Sequence, residues 1–242
     1  MRAQRLHWTW AGAGGALLLL ALWGIEPRLA HAQTTPAAEL RCDGADVRVW
    51  AADLEDAAVA CDGARRAMAF LASLGLATDT VIELEMQPKL PPGLRASAVG
   101  CYNRRTHRVT VLTYAEFLKR GTWFEVPVDR ELHRSAVAHE VAHAVVGCQP
   151  GEAGLALPAH EYMAYAAMFG TMEPALRERV LANYAGTGFD NDAQINSLMY
   201  AFDPMRFGAN AWKHFSQLAD GRAYFRRILA GEVLRDEWVF GD

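Results

Sequence analysis

Residues 135–147 read SAVAHEVAHAVVG, and inside them His139-Glu140-Val141-Ala142-His143 spells H-E-x-x-H. Ala and Val surround the motif and no Pro or Gly interrupts it before Gly147, which suits a buried or half-buried helix. Residues four apart share a helix face, so His139 and His143 can offer two imidazole nitrogens to one metal ion. Glu140 lies beside that point without having to bind it, where a base acting on a metal-activated water is needed. Working outward, Asp129 is a good N-cap, and Gly147, Cys148 and Pro150 form a stop. A pair of satisfied core histidines is the bland alternative. The start, body and stop written around the motif favour the metal.

Upstream, short strand signals dominate. Residues 46–50 (DVRVW) alternate, residues 80–86 (TVIELEM) are β-branched at their start, and residues 96–102 and 107–113 flank a four-residue connection, a hairpin signal. A helix is expected over residues 54–74, weakened at Gly63 and ended near Gly75. Residues 33–39 read as a polar, Pro-containing lead-in, and residues 121–128 (GTWFEVPV) as a loop with two aromatics. His107, at the start of its strand, reads as solvated. Downstream, helices are expected over residues 114–120, 159–168 (with Pro158 in the first turn), 173–185, 191–200, 204–218 and 222–233. Strands before residue 114 and helices after it argue for an α+β fold, strand-rich over 40–113 and helical over 114–242, in one domain spanning 33–242.

Arg2 and Arg5, an apolar run over residues 11–23 and Ala30-His31-Ala32 make residues 1–32 read as a secretory signal peptide. The run has 13 residues, short of the about 20 a spanning helix needs. The expectation is an exported protein, periplasmic or secreted by a bacterial Sec-type route, with no stable membrane anchor after cleavage. Removing residues 1–32, which hold three Arg and one Glu, takes the net charge from −4 to −6. An acidic chain with no Lys/Arg cluster beyond pairs disfavours nucleic acid as a partner. Four cysteines in an exported chain favour two disulfides. Three connectivities are open. Cys42–Cys61 with Cys101–Cys148 is preferred, because the first is local and the second ties the end of the motif helix to an upstream strand. A Cys-ligated metal is weaker, for no C-x-x-C spacing occurs.

A catalytic zinc takes three protein ligands and keeps a position open. The continuation that marks the metzincins would need Gly at 146 and His at 149, where the chain has Val146 and Gln149. On a later expected helix, Glu161 follows His143 with 17 residues between them. In this pattern the chain resembles the gluzincins, zinc metallopeptidases with an H-E-x-x-H helix and a Glu ligand from a later helix. The resemblance covers roughly residues 96–170 and is specific at His139, Glu140, His143 and Glu161. It implies a zincin-like fold, one Zn²⁺ held by His139, His143 and Glu161, Glu140 as general base, and a hairpin strand lining the substrate cleft. His160 competes with Glu161 for the third position. Neighbours on a helix point about 100° apart, so one face cannot present both equally, and Glu161 ranks ahead. The chain departs from the family at Tyr165, where many gluzincins carry an acid that supports a motif His. A Tyr hydroxyl can give such support.

The expected chemistry is zinc-dependent hydrolysis of peptide bonds, with a peptide or protein as substrate. Tyr165, Tyr200 and His214 are candidates for supporting the ligands or for donating to the tetrahedral oxyanion. The strand at residues 107–113 is a candidate for pairing with an extended peptide. A different class of function remains beside it. The chain can be an exported binding or assembly protein that keeps the fold and the metal without catalysis. Its small size and the lack of an obvious specificity subdomain speak for that. Hydrolysis of a non-peptide amide uses the same water activation.

Overall fold

Period-two alternation lays down a sheet. In β2 (Val47–Ala51) and β3 (Ile82–Gln87), Val47, Val49, Ala51, Ile82, Leu84 and Met86 are buried, while Arg48, Trp50, Glu83 and Glu85 alternate with them on the other face. Two further strands, β4 (Gly100–Asn103) and β5 (Arg108–Leu112), form the expected hairpin, and its turn closes on Asn103 Oδ1, which accepts the Arg105 and Thr106 N–H groups. One strand, β1 (Ala38–Arg41), is new: the lead-in pairs antiparallel with β2. The computed structural model describes residues 38–235, which belong to one compact unit, Thr35–Asp242. The leader read at residues 1–32 lies outside the described residues.

The five strands run in the order β1-β2-β3-β5-β4, with β2, β3 and β5 mutually parallel and the two ends antiparallel, so the sheet is mixed. This corrects one expectation. β5 is paired on both sides; the two edge strands among the described residues are β1 and β4, so of the hairpin it is β4 that lies at an edge. On the outer face Arg108 pairs with Glu83 at 2.7 Å and with Glu85, and lies over the Trp50 ring. Such exposed pairs contribute about 0–1 kcal/mol each, so the apolar inner face carries the sheet.

Against that face pack α1 (Leu54–Ser73), capped by Asp53, and α3 (Arg130–Val146), capped by Asp129, whose side chain accepts the Leu132 N–H at 2.8 Å. Gly63 does not break α1. A Cβ there would lie 2.7 Å from the Arg134 carbonyl oxygen, so the glycine lets α1 approach α3 closely. Gly147 ends α3 with an ordinary right-handed φ of −62°. Its lack of a side chain has another cause: a Cβ would fall 2.6 Å from the Tyr102 hydroxyl.

Cys42–Cys61 forms, linking the end of β1 to α1. Cys101–Cys148 does not, and both thiols are free. The register explains why. Gly100 and Tyr102 face α3, opposite Val111 and Val109, whereas Cys101 lies opposite Thr110 on the alternate face. Tyr102, not Cys101, therefore meets the end of α3.

The rest is helical, and roughly half of the described residues are in helices. After the short α2 (Tyr114–Leu118) come α4 (Leu157–Thr171), α5 (Pro174–Ala182), α6 (Ser197–Phe202), α7 (Pro204–Ser216) and α8 (Gly221–Leu229). α4 is buried almost from end to end, packed against α3 and α7. No helix among the described residues is long and apolar enough to cross a membrane. The expected loop at residues 121–128 is instead a small hairpin, β6 (Thr122–Trp123) and β7 (Val126–Pro127). Its two turn residues, Phe124 and Glu125, have φ of +51° and +60°. Left-handed backbone at such residues costs about 1–3 kcal/mol each. Phe124 is fully buried, and burying that side chain returns about 1.5–3 kcal/mol, the same order as the strain.

Candidate metal centre

α3 and α4 cross so that the motif face of one meets the first turns of the other. From α3 come His139, Glu140 and His143; from α4 come His160, Glu161 and Tyr165. His139 Nε2 and His143 Nε2 are 3.2 Å apart. Glu161 reaches both, with Oε2 at 3.5 Å from His139 Nε2 and Oε1 at 3.7 Å from His143 Nε2. The donor atoms of the three residues all lie within 4.8 Å of one another, as ligands of a single ion must. His160 is turned elsewhere: its Nε2 faces Glu152 Oε1 at 3.3 Å, and Glu152 in turn pairs with Arg104. Of the two competitors, the structure brings Glu161 to the histidines.

Glu140 stands next to the cluster and outside it. Strand β4 passes directly over it: a Cβ on Gly100 would lie 2.5 Å from Glu140 Cγ. Glycine in a strand marks such a close backbone approach. Tyr200, from α6, hydrogen-bonds to the Glu161 carboxylate. The Tyr165 ring packs on the His139 ring, with centroids 4.4 Å apart. His214 is not at the cluster. Its Nδ1 is 2.7 Å from the Tyr162 hydroxyl and its ring faces Tyr224. That expectation is corrected: α7 turns His214 toward α8 while presenting Gly208 to Tyr165.

Burial dominates the electrostatics. It pushes the Glu140 carboxyl up to about 7, with the nearby Glu161 charge adding to the rise and His139 opposing it. It pushes His143 down to about 3; Glu161 works against this, and His139 and His160 add to it. Burial also works to lower His139, but the Glu161 carboxylate facing its Nε2 and the charge of Glu140 outweigh that, and its pKa is raised. Glu161 would be raised by burial, yet His143, His139 and the Tyr200 hydroxyl hold it below the usual carboxylate range. The cluster thus keeps one ionised carboxylate among two imidazoles whose nitrogens face each other. Glu161 Oε2 is a buried oxygen with no hydrogen-bond partner among the described residues. A buried anion with an unfilled lone pair, facing two imidazole nitrogens, fits a divalent cation.

These residues lie on a cleft of about 640 Å³. Gly100, Cys101, Trp123, Tyr200 and Met205 complete its inner lining. Leu94, Leu157 and Phe202 line it too and are themselves exposed, so solvent and a ligand can reach the cluster past them. Burial pushes the Cys101 thiol up to about 11, and Glu140 adds to this, so it is neutral. Gly100, Trp123 and Met205 went unread in the sequence. A glycine opening a strand was the one available signal for Gly100; nothing local marked the other two.

No curated protein and no solved structure matches the chain. A family model does, over residues 47–238, a stretch that contains both helices of the cluster and every residue named in the cleft. The chain with this His₂Glu cluster belongs to DUF6639, a family of unknown function.

Proposed function

We propose that the chain is an exported zinc-dependent peptidase of gluzincin type with a zincin-like fold. The observation that carries this reading is the convergence of His139, His143 and Glu161 on one point of a reachable cleft, with Glu140 beside them and outside the donor set. Two imidazoles and a carboxylate suit zinc, and the three groups would hold one Zn²⁺. Bound there, the ion supplies Lewis acidity, which makes a water nucleophilic near neutral pH and polarises the scissile carbonyl.

The chain's own residues supply the remainder. The Glu140 carboxylate takes a proton from the attacking water and delivers it to the leaving amine nitrogen. A cation at the cluster favours its ionised form, which is the form a base requires. Tyr200 fixes Glu161 through its hydroxyl and faces the cleft. Strand β4 has an unpaired edge beside Glu140, to which an extended peptide can add main-chain hydrogen bonds. The Cys42–Cys61 disulfide supports an oxidising compartment, periplasmic or extracellular. Access through the rim of Leu94, Leu157 and Phe202 favours turnover over a sealed, purely structural metal.

Zinc stoichiometry and cleavage of a peptide library, with and without chelator, test the reading. Glu140→Gln should keep its zinc and lose about 10²–10⁴-fold in turnover. Retained turnover in Glu140→Gln removes the general base. A zinc-loaded chain that leaves the library uncut points to the binding-protein alternative.

A further inference from the structure

His139 Nδ1 is buried and has no hydrogen-bond partner among the described residues. Metal-binding imidazoles ordinarily have this second nitrogen fixed by a carboxylate, a carbonyl or water. The His139 ring has packing in its place. Tyr165 lies on it at 4.4 Å between centroids and 48° between planes. Tyr165 is boxed in turn. Phe124 meets it edge-on at 6.0 Å and 80°, and Phe207 lies at 6.2 Å. From α7, Gly208 leaves room for it: a Cβ there would stand 2.6 Å from Tyr165 Cδ1.

Phe124 reaches this position at the tip of the β6–β7 hairpin. Both turn residues carry positive φ, a requirement that two-residue hairpins usually meet with Asn-Gly and here meet with Phe-Glu. The tip is tied down on both sides, by the Phe124 N–H to Met205 Sδ at 3.3 Å and by Asn183 Nδ2 to the Phe124 carbonyl at 3.4 Å. Strained backbone persists only where the surroundings over-determine it, and it gathers at functional sites.

We propose that the hairpin Thr122–Pro127 is an aromatic clamp on the metal centre. Phe124, held in by the strained turn, locks Tyr165, and the Tyr165 ring sets the plane of His139 in place of a hydrogen bond at Nδ1. Phe124 and Tyr165 are positioning residues that act through His139. The inference rests on the reading of His139, His143 and Glu161 as a zinc site.

The test measures zinc affinity of the full chain by competition with a chromophoric chelator, alongside the melting temperature of the metal-free form. Tyr165→Phe keeps the ring and should bind zinc as wild type does. Tyr165→Leu and Phe124→Leu should each weaken zinc binding by about tenfold or more. Tyr165→Leu leaves the hairpin sequence intact and carries the test if Phe124→Leu does not fold. Phe225→Leu removes a fully buried ring that packs on Tyr162 and Phe215. It should lower the melting temperature and leave zinc affinity alone, which separates positioning from general stability. Leu variants that bind zinc like wild type overturn the clamp. Tyr165→Phe that loses as much affinity as Tyr165→Leu overturns it too, because the hydroxyl would then be the acting group. Wild type that binds no zinc removes the metal site itself, and the clamp with it.

Discussion

Helices α3 and α4 give the cleft its donor atoms, whereas strand β4 and the hairpin Thr122–Pro127 give it its spacing. On the helices the functional groups are side chains in regular geometry: an i, i+4 pair of histidines, a Glu between them, and a second Glu one helix later. On the strand and hairpin the working features are an absent side chain at Gly100 and a left-handed backbone at Phe124. The first kind of part is chemistry and tolerates little change in residue type. The second is clearance and shape, and tolerates little change in volume.

Gly100→Ala should show the largest effect on the shape side. Its new methyl would overlap Glu140 Cγ, and displacing a reacting group by about 1 Å can cost about 100-fold in rate. Zinc content should not change, because none of the three donors moves. Turnover of Gly100→Ala equal to wild type would show that Glu140 has room to spare and would erase the contrast between the two kinds of part. A smaller effect is expected at Tyr200→Phe, which deletes a hydrogen bond to the Glu161 carboxylate. Chelator competition should show zinc binding weakened by about tenfold, the lower end for a group supporting a ligand. An unchanged affinity would leave Glu161 positioned by the histidines alone.

The smallest effect concerns a third histidine on α3 that has no part in the cluster. Burial lowers the His133 pKa, against a hydrogen bond from its Nε2 to the Leu112 carbonyl at 2.8 Å and the charge of Asp56. Its Nδ1 is buried without a partner among the described residues, so a second proton would be an unpaired charge. The unfolded chain takes that proton near the ordinary value of about 6.5. The folded chain does so only at lower pH. Stability from this group is therefore full above pH about 6.5 and declines as pH falls below it. Urea unfolding between pH 7.5 and 5.5, compared with His133→Gln, should show a shallower decline in the variant. Equal slopes would mean that His133 takes its proton in the fold as easily as out of it.

The sequence makes one kind of part legible and hides the other. The H-E-x-x-H helix, its Asp129 cap and the β4–β5 hairpin were readable because each is a local pattern with a fixed period or spacing, whereas Glu161, on a separate helix, was legible only through the family resemblance. β1 was missed because it is only four residues long and exposed throughout, so the alternation of Ala38 and Leu40 with Glu39 and Arg41 marks no buried face. The Thr122–Pro127 hairpin was missed because Phe-Glu carries none of the usual turn chemistry, and only tertiary packing makes its backbone affordable. The Cys101–Cys148 pairing failed for a reason of parity: one residue along β4 exchanges the face toward α3 for the face away from it. His214 was placed at the cluster on residue type alone, and helix rotation turned it toward Tyr162.

The contact between Gly100 and Glu140 also constrains how the family can diverge. A strand residue with no side chain and a helix residue with a long one occupy a single shared volume. Inheritance should couple them. Across DUF6639 sequences, a residue larger than glycine at position 100 should occur where position 140 carries something shorter than glutamate, and on the proposed reading such lineages lack the base while free to keep the three donors. Drift at one strand position would then be a record, readable without biochemistry, of which branches keep a glutamate beside the three donors.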